Sequence, residues 1–266
     1  MKRVIILLAI AGATTMFAFG QKKETRTVSD FSGIVASNVF EITVTKGSTE
    51  SLIIEADDAV MPQVRSEVRN GVLNLYLDNE KSIRNIKVLK ANVVMRNLDK
   101  LSLSGASKLT SNDLFTPERF KADCSGVSNL TINVNTGELS ITASGACKIQ
   151  LKANVTGDAK FDVSGTSKVQ SELKAANVKF NSSGVSSVDL SGSAKDFKID
   201  VSGTSKVQAD NFVVKTATIK SSGTSKITVN VTETMNINSS GTSTIEYKGS
   251  PAINANTGGA SKIRKF

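Results

Sequence analysis

The phrase KFDVSGTSKVQ at residues 160–170 returns as KIDVSGTSKVQ at 198–208, with ten of eleven positions unchanged. Its core, S-G-x-S-K-V, recurs as SGASKL (104–109), SGVSNL (125–130), SGACKI (144–149), SGTSKV (164–169) and SGVSSV (183–188). It continues as SGTSKV (202–207), SGTSKI (222–227), SGTSTI (240–245) and GGASKI (258–263). From Gly105 to Gly259 the successive glycines are spaced by 21, 19, 20, 19, 19, 20, 18 and 18 residues. A short recurring period of this kind predicts a solenoid, because one such unit cannot bury its apolar face without a neighbour stacked on it.

Alignment on the glycine separates the positions by parity, as a β-strand requires. Four residues before it stand Leu101, Ala122, Ile141, Phe161, Phe180, Ile199, Ile219, Ile237 and Ala255. Four after it stand Leu109, Leu130, Ile149, Val169, Val188, Val207, Ile227, Ile245 and Ile263. Two after it the residue is Ser in every copy but one, where Cys147 takes its place. Odd offsets carry the polar side chains, among them Asp162 and Asp200. Even offsets therefore face inward and odd offsets outward.

Units of this length stacked in parallel at ~4.8 Å give a parallel β-helix in which each column becomes a ladder. The expected fold is all-β: a single-stranded, right-handed parallel β-helix with coils of 18–21 residues. Leucine-rich repeats need several Leu per unit at set positions, a membrane barrel needs aromatic girdles, and a left-handed hexapeptide helix wants strict eighteen-residue turns. None of these patterns is present. The inward serines are expected to hydrogen-bond along their ladder, and Phe161 to stack on Phe180.

The opening MKRVIILLAIAGATTMFAFGQ joins a basic start, Lys2 and Arg3, to an apolar run and a small-residue site at Ala18-Phe19-Gly20. Residues 1–20 therefore read as a secretory signal peptide, leaving 31 basic and 24 acidic residues and a net charge of +7. Residues 21–28 read as a short linker and 29–266 as one solenoid domain. Within it, 29–100 form irregular early coils acting partly as a cap, and 101–263 form nine regular coils. Alternating segments with turn signals at Lys46-Gly47 and Asn70-Gly71 mark the early part, which could alternatively form a small β domain at 29–90.

Composition excludes much chemistry. The chain has no His and two Cys, so neither a conventional zinc site nor a His-based acid–base pair can be built. Asp123, Asp162 and Asp200 share one outward column on alternate coils, roughly 10 Å apart, too far to share one calcium ion. Cys124 and Cys147 lie four positions out of step on adjacent coils, beyond disulfide reach, and are expected as two free inward thiols. Enzymes built on β-helices carry clefts made of long loops, but no glycine spacing here exceeds 21, and Glu118, Asp158 and Glu172 are scattered. No catalytic residue, metal, cofactor or disulfide is expected, nor is nucleic acid, since basic residues are not interleaved with aromatic platforms.

The order of FSGIVASNVFEITVTKG, VRNGVLNLYL and the reiterated LSLSGASKL-type coils behind a signal peptide resembles a bacterial family. That family is the putative auto-transporter adhesin, head GIN domain, common in exported proteins of the Bacteroidetes. The resemblance spans roughly residues 29–263 and implies a parallel β-helix with a surface-adhesion role. The sequence departs from an autotransporter in showing no translocator barrel before Phe266. The expected function is therefore exported, non-catalytic binding in the periplasm, at the outer-membrane surface or outside the cell. The ligand would be a glycan or another anionic envelope component. The candidate contact is an outward row made by Lys108, Lys148, Lys168, Lys206, Lys226 and Lys262. The alternatives are end-to-end self-association through exposed strand edges and a polysaccharide-active enzyme.

Overall fold

The computed structural model describes residues 20–78 and 85–266. The expected signal peptide lies outside these residues, Gly20 excepted. About 70% of the described residues are strand, wound into a parallel β-solenoid of about nine turns. Each regular coil has two strand segments joined by the S-G-x-S corner, and each segment pairs in parallel with its counterpart in the coils on either side. One ladder runs through Arg119–Gly126, Glu138–Gly145 and Asp158–Val163. The other runs through Asn129–Thr136, Lys148–Val155 and the first half of Lys168–Ser182. From Lys168 onward the second corner flattens, and strands of 14 to 16 residues serve both ladders.

The register follows the glycine alignment. Phe161 pairs with Phe180, Val169 with Val188, and Val207 with Ile227. Extra residues in the longer coils leave as irregularities beyond the corner, opposite Thr131–Asn133 and Asp189–Ser191 and after Ala209. Spacings can thus vary while the corners stay aligned. The inward columns form one apolar core. Phe161 and Phe180 meet with ring centroids 6.4 Å apart and tilted. Phe197 and Phe212 meet edge to face at 5.4 Å, linking the two ladders across the interior.

The corner explains the repeated phrase. Gly203 has φ +90°, and a Cβ there would stand 2.7 Å from the carbonyl oxygen of Gly184 one coil below. Only a residue without a side chain satisfies both conditions. The fourth residue of the phrase turns inward and closes the corner on itself. Ser107 Oγ donates to the Ser104 carbonyl at 2.9 Å, Ser128 Oγ to Ser125 at 2.6 Å, and Ser167 Oγ to Ser164 at 3.1 Å. Cys147 Sγ makes the equivalent contact with Ser144 at 3.3 Å. The expected bonding along the ladder is present as well: Ser167 Oγ is also 3.2 Å from the Gly145 carbonyl of the preceding coil, and Ser205 Oγ is 3.5 Å from that of Gly184. Inter-coil bonds are added where a second Ser stands opposite, as at Ser182–Ser205 (3.1 Å) and Ser221–Ser243 (2.8 Å).

The early region is woven into the stack. Gly33–Ala36 and Glu41–Lys46 form a coil whose neighbour on one side is Lys100–Leu103 with Lys108–Phe115. On its other side lie Val72–Leu77 and Leu89–Met95, which come later in the chain. Residues 37–42, SNVFEI, are in register with SGASKL, so a tenth corner precedes the nine. Asn38 stands at the glycine position with φ +70°, and Phe40 fills the inward Ser position. Beyond this block antiparallel strands end the stack. Val64–Arg69 folds onto Val72–Leu77 through Asn70-Gly71, both with positive φ, as a tight hairpin turn requires. Ser51–Asp57 pairs with Leu89–Met95.

Residues 21–28 are not simply a linker. Gln21–Arg26 is the outermost strand, antiparallel to Ser51–Asp57. Its run QKKETR has no apolar alternation because it is an edge, where charged side chains discourage pairing with other chains.

Candidate binding surface

The lysine column is an outward ladder in the order Glu41, Lys108, Asn129, Lys148, Lys168, Ser187, Lys206, Lys226, Thr244, Lys262. Lysines never occupy more than two successive rungs, and Asn129, Ser187 and Thr244 separate the groups. That spacing limits repulsion along a ladder of ~4.8 Å pitch.

Two of the six candidates are engaged within the chain. Lys108 Nζ lies 2.9 Å from Glu41 Oε1, and this hydrogen bond, with the accompanying charge, holds the Glu41 carboxyl below its ordinary range. Lys226 Nζ lies 3.1 Å from Glu246 Oε2. Lys148, Lys168, Lys206 and Lys262 have no carboxylate partner among the described residues. Next to the row, in register with it, runs a column of uncharged polar residues, Thr131, Gln150, Gln170 and Gln208, interrupted between Gln170 and Gln208 by the exposed carboxylate of Asp189. A shallow groove follows the corner itself and is lined by Thr166, Lys168, Val185, Thr204, Lys206 and Lys226. The surface is therefore a strip of hydrogen-bonding groups with unneutralised ammonium groups at its margin.

The other ladder carries a second lysine row that the sequence reading passed over. Lys160, Lys179 and Lys198 occupy three successive rungs. Asp158, Asn177 and Asp196 flank them on one side, and Asp162, Asn181 and Asp200 on the other. Asn177 Nδ2 donates to Asp158 at 2.8 Å and Asn181 Nδ2 to Asp162 at 2.6 Å, while Lys160 Nζ lies 2.6 Å from Asp162. Partial burial alone would raise the Asp162 carboxyl, but the hydrogen bonds from Lys160 and Asn181 and the charges of Lys160 and Lys179 outweigh it and hold it low. Three lysines face four aspartates, so this face is charge-balanced and does not attract a polyanion. The signal was available in the alignment five residues before each glycine.

Asp123, Asp162 and Asp200 fall on alternate rungs, with Thr142 and Asn181 between them. Among the described residues no group of three or more metal-ligating side chains converges. Cys124 and Cys147 are buried and unbridged. Burial first, then the neighbouring Cys147 and Asp123, pushes the Cys124 thiol up to about 12, so it stays protonated and unreactive at neutral pH.

The sequence model of the family described as putative auto-transporter adhesin, head GIN domain, matches residues 30–172 and again 155–251. The chain belongs to that family. This head GIN domain is thus a stack of the S-G-x-S corner and its two strand segments. The fold is shared with a putative adhesin from Parabacteroides merdae, at 18% identity and a TM-score of 0.70 over 92% of this chain and 96% of that one. A putative adhesin from Parabacteroides distasonis aligns at 17% identity and a TM-score of 0.67, covering 94% and 98% of the two chains. A protein from the same species described as a putative lipid binding protein aligns at 20% identity and a TM-score of 0.63, covering 92% and 96%. At these identities the likeness is one of fold. No curated protein matches the chain. No helix among the described residues is long and apolar enough to cross a membrane.

Proposed function

We propose that this head GIN domain is an exported, non-catalytic binding protein of the bacterial envelope. Its ligand is an acidic glycan or a closely related anionic envelope polymer. The observation that carries the reading is the in-register row in which Lys148, Lys168 and Lys206 lack carboxylate partners beside Gln150, Gln170 and Gln208. A linear polyanion with regularly placed carboxylates and hydroxyls can follow such a strip, ion-pairing at the margin and hydrogen-bonding along the middle. The opposite ladder, neutralised within itself, offers no such attraction. Family membership supports an adhesive role, and the absence of long loops between the corners suits contact along a surface better than enclosure of a small substrate.

The test is retention on immobilised polygalacturonate, with neutral dextran as the control. Salt-sensitive retention on the acidic polymer is expected, weakened about tenfold or more when Lys148, Lys168 and Lys206 are all changed to Gln, since each lost contact is a charge-assisted bond. Equal retention of the triple variant and the wild type, or equal retention on dextran, rejects the reading.

A further inference from the structure

The outward columns around the corner change together at a single coil. In the coils 164–169 and 202–207 the phrase reads SGTSKV and is followed by Gln. In the coil between them it reads SGVSSV and is followed by Asp. On the ladder, Ser187 therefore stands between Lys168 and Lys206, and Asp189 between Gln170 and Gln208. At the corner Val185 stands between Thr166 and Thr204. Backbone bonds of 2.9 Å from Val185 to Gly165 and from Thr204 to Gly184 keep the corners in step. The inward residues of this coil, Ser186 and Val188, are the same Ser and Val as in its neighbours, so the core does not demand the change.

All three differences act in one direction. Val185, 58% exposed, puts a bare apolar surface into the corner groove between Lys168 and Lys206. Ser187 withdraws the cation from the row. Asp189 adds an exposed carboxylate, and it forms no ion pair among the described residues. An apolar and acidic rung thus lies between two rungs with uncompensated ammonium groups, and Lys168 and Lys206 stand two coil steps apart, roughly 10 Å. The coil 125–130 repeats part of the arrangement. Val127, 60% exposed, shares its rung with Asn129, which stands between Lys108 and Lys148.

We propose that the ligand of this row is a glycan in which acidic and neutral sugars alternate, and that the Val185 rung seats a neutral one. The proposal rests on the acidic-glycan reading and refines it. An extended pyranose chain lying along the solenoid advances by close to one coil height per sugar. An acidic sugar opposite this rung would face the Asp189 carboxylate with no cation to offset it, a like-charge contact that selects against it. A neutral sugar meets no such penalty. Its C–H face lies on Val185, and its hydroxyl or amide N–H groups donate to Asp189. The acidic sugars on either side then reach Lys168 and Lys206. A uniform polyuronate carries a charge on every sugar and cannot avoid Asp189.

The experiment compares retention on immobilised hyaluronate, with a carboxylate on every second sugar, and on polygalacturonate, with one on every sugar. The wild type should bind hyaluronate about fivefold or more tightly, against the order of charge density. Val185→Ser should lower hyaluronate binding about threefold or more and leave polygalacturonate unchanged. Ser187→Lys/Asp189→Gln gives the rung the residues that its neighbouring coils already carry. It should strengthen polygalacturonate binding about tenfold and abolish the preference. Lysine-dependent binding of both polymers without a preference for hyaluronate overturns the alternating ligand and leaves the acidic-glycan reading standing. A double variant that keeps the wild-type preference overturns it as well. Retention of neither polymer rejects the acidic-glycan reading, and this refinement with it.

Discussion

The side-chain oxygen of Asn38 accepts the backbone N–H of Leu77 at 3.1 Å. Asn38 stands at the end of the glycine ladder, with φ +70° and the strand Val72–Leu77, rather than another glycine, on its far side. An asparagine tolerates the left-handed backbone better than most residues, and its amide oxygen serves a neighbouring strand end. One rung higher a side chain has no room.

This contrast yields the first prediction. Gly203→Ala should lower stability by at least about 2 kcal/mol, combining left-handed strain with a collision against the Gly184 carbonyl. Asn38→Gly should cost about 1 kcal/mol or less, since it loses the two hydrogen bonds that the amide oxygen accepts, from Leu77 N–H and from the part-exposed Ser37 Oγ, but relieves the strain. Urea unfolding followed by circular dichroism measures both, and equal losses would contradict the account of the corner.

The corner serines are not equivalent. Ser167 Oγ is buried and placed to donate to the carbonyl of Ser164 or of Gly145, at 3.1 and 3.2 Å, whereas Ser186 Oγ is buried without a partner. Ser167→Ala is therefore expected to cost about 1 kcal/mol, and Ser186→Ala to be neutral or stabilising. The same unfolding assay decides, and a reversed order would refute the assignment.

Glu246 sets an acid limit on the last coils. Hydrogen bonds from Arg264 and then Lys226 hold its carboxyl below the ordinary 4.5. A depressed folded value means that the stabilisation is present above the unfolded pKa and is lost as pH falls through the folded one. Thermal melts of wild type and Glu246→Gln should differ near neutrality and converge in acid. Curves that stay parallel down to low pH would exclude a role for this carboxylate in stability.

The two thiols offer a probe of the core. With Cys124 and Cys147 buried and the Cys124 thiol held protonated, iodoacetamide at neutral pH should leave the native protein unlabelled and react at both sites once denaturant is added. Prompt labelling of the native protein would show that the interior opens far more readily than the continuous ladders imply.

Much of this architecture could be read from the order of residues. Parity about Gly105 to Gly259 identified the inward columns, and the pairing of Val169 with Val188 and of Lys148 with Lys168 follows from aligning the repeats. The tenth corner escaped because Asn38 and Phe40 replace the Gly and Ser that mark the others, at the end of the ladder where the strand Val72–Leu77 lies on the far side. Gln21–Arg26 escaped because an edge strand need not alternate. The place of Gly33–Lys46 in the stack was hidden for a deeper reason. Periodicity reports which residues share a face, and it says nothing about whether a neighbour in space comes earlier or later in the chain. For the candidate surface, the six lysines were visible, but their division into four uncompensated and two neutralised groups depends on Glu41 and Glu246, which the repeat alignment does not single out.

The threading of Gly33–Lys46 between later segments bears on how the molecule is made. From Arg119 onward each new turn settles on one already in place, so assembly can advance locally and quickly. The opening turn has no such template, because its two neighbours are complete only once synthesis has reached Met95 and then Phe115. The first part of the polypeptide to emerge must therefore wait, unclosed, and winding starts from a knot of distant partners rather than from the tip.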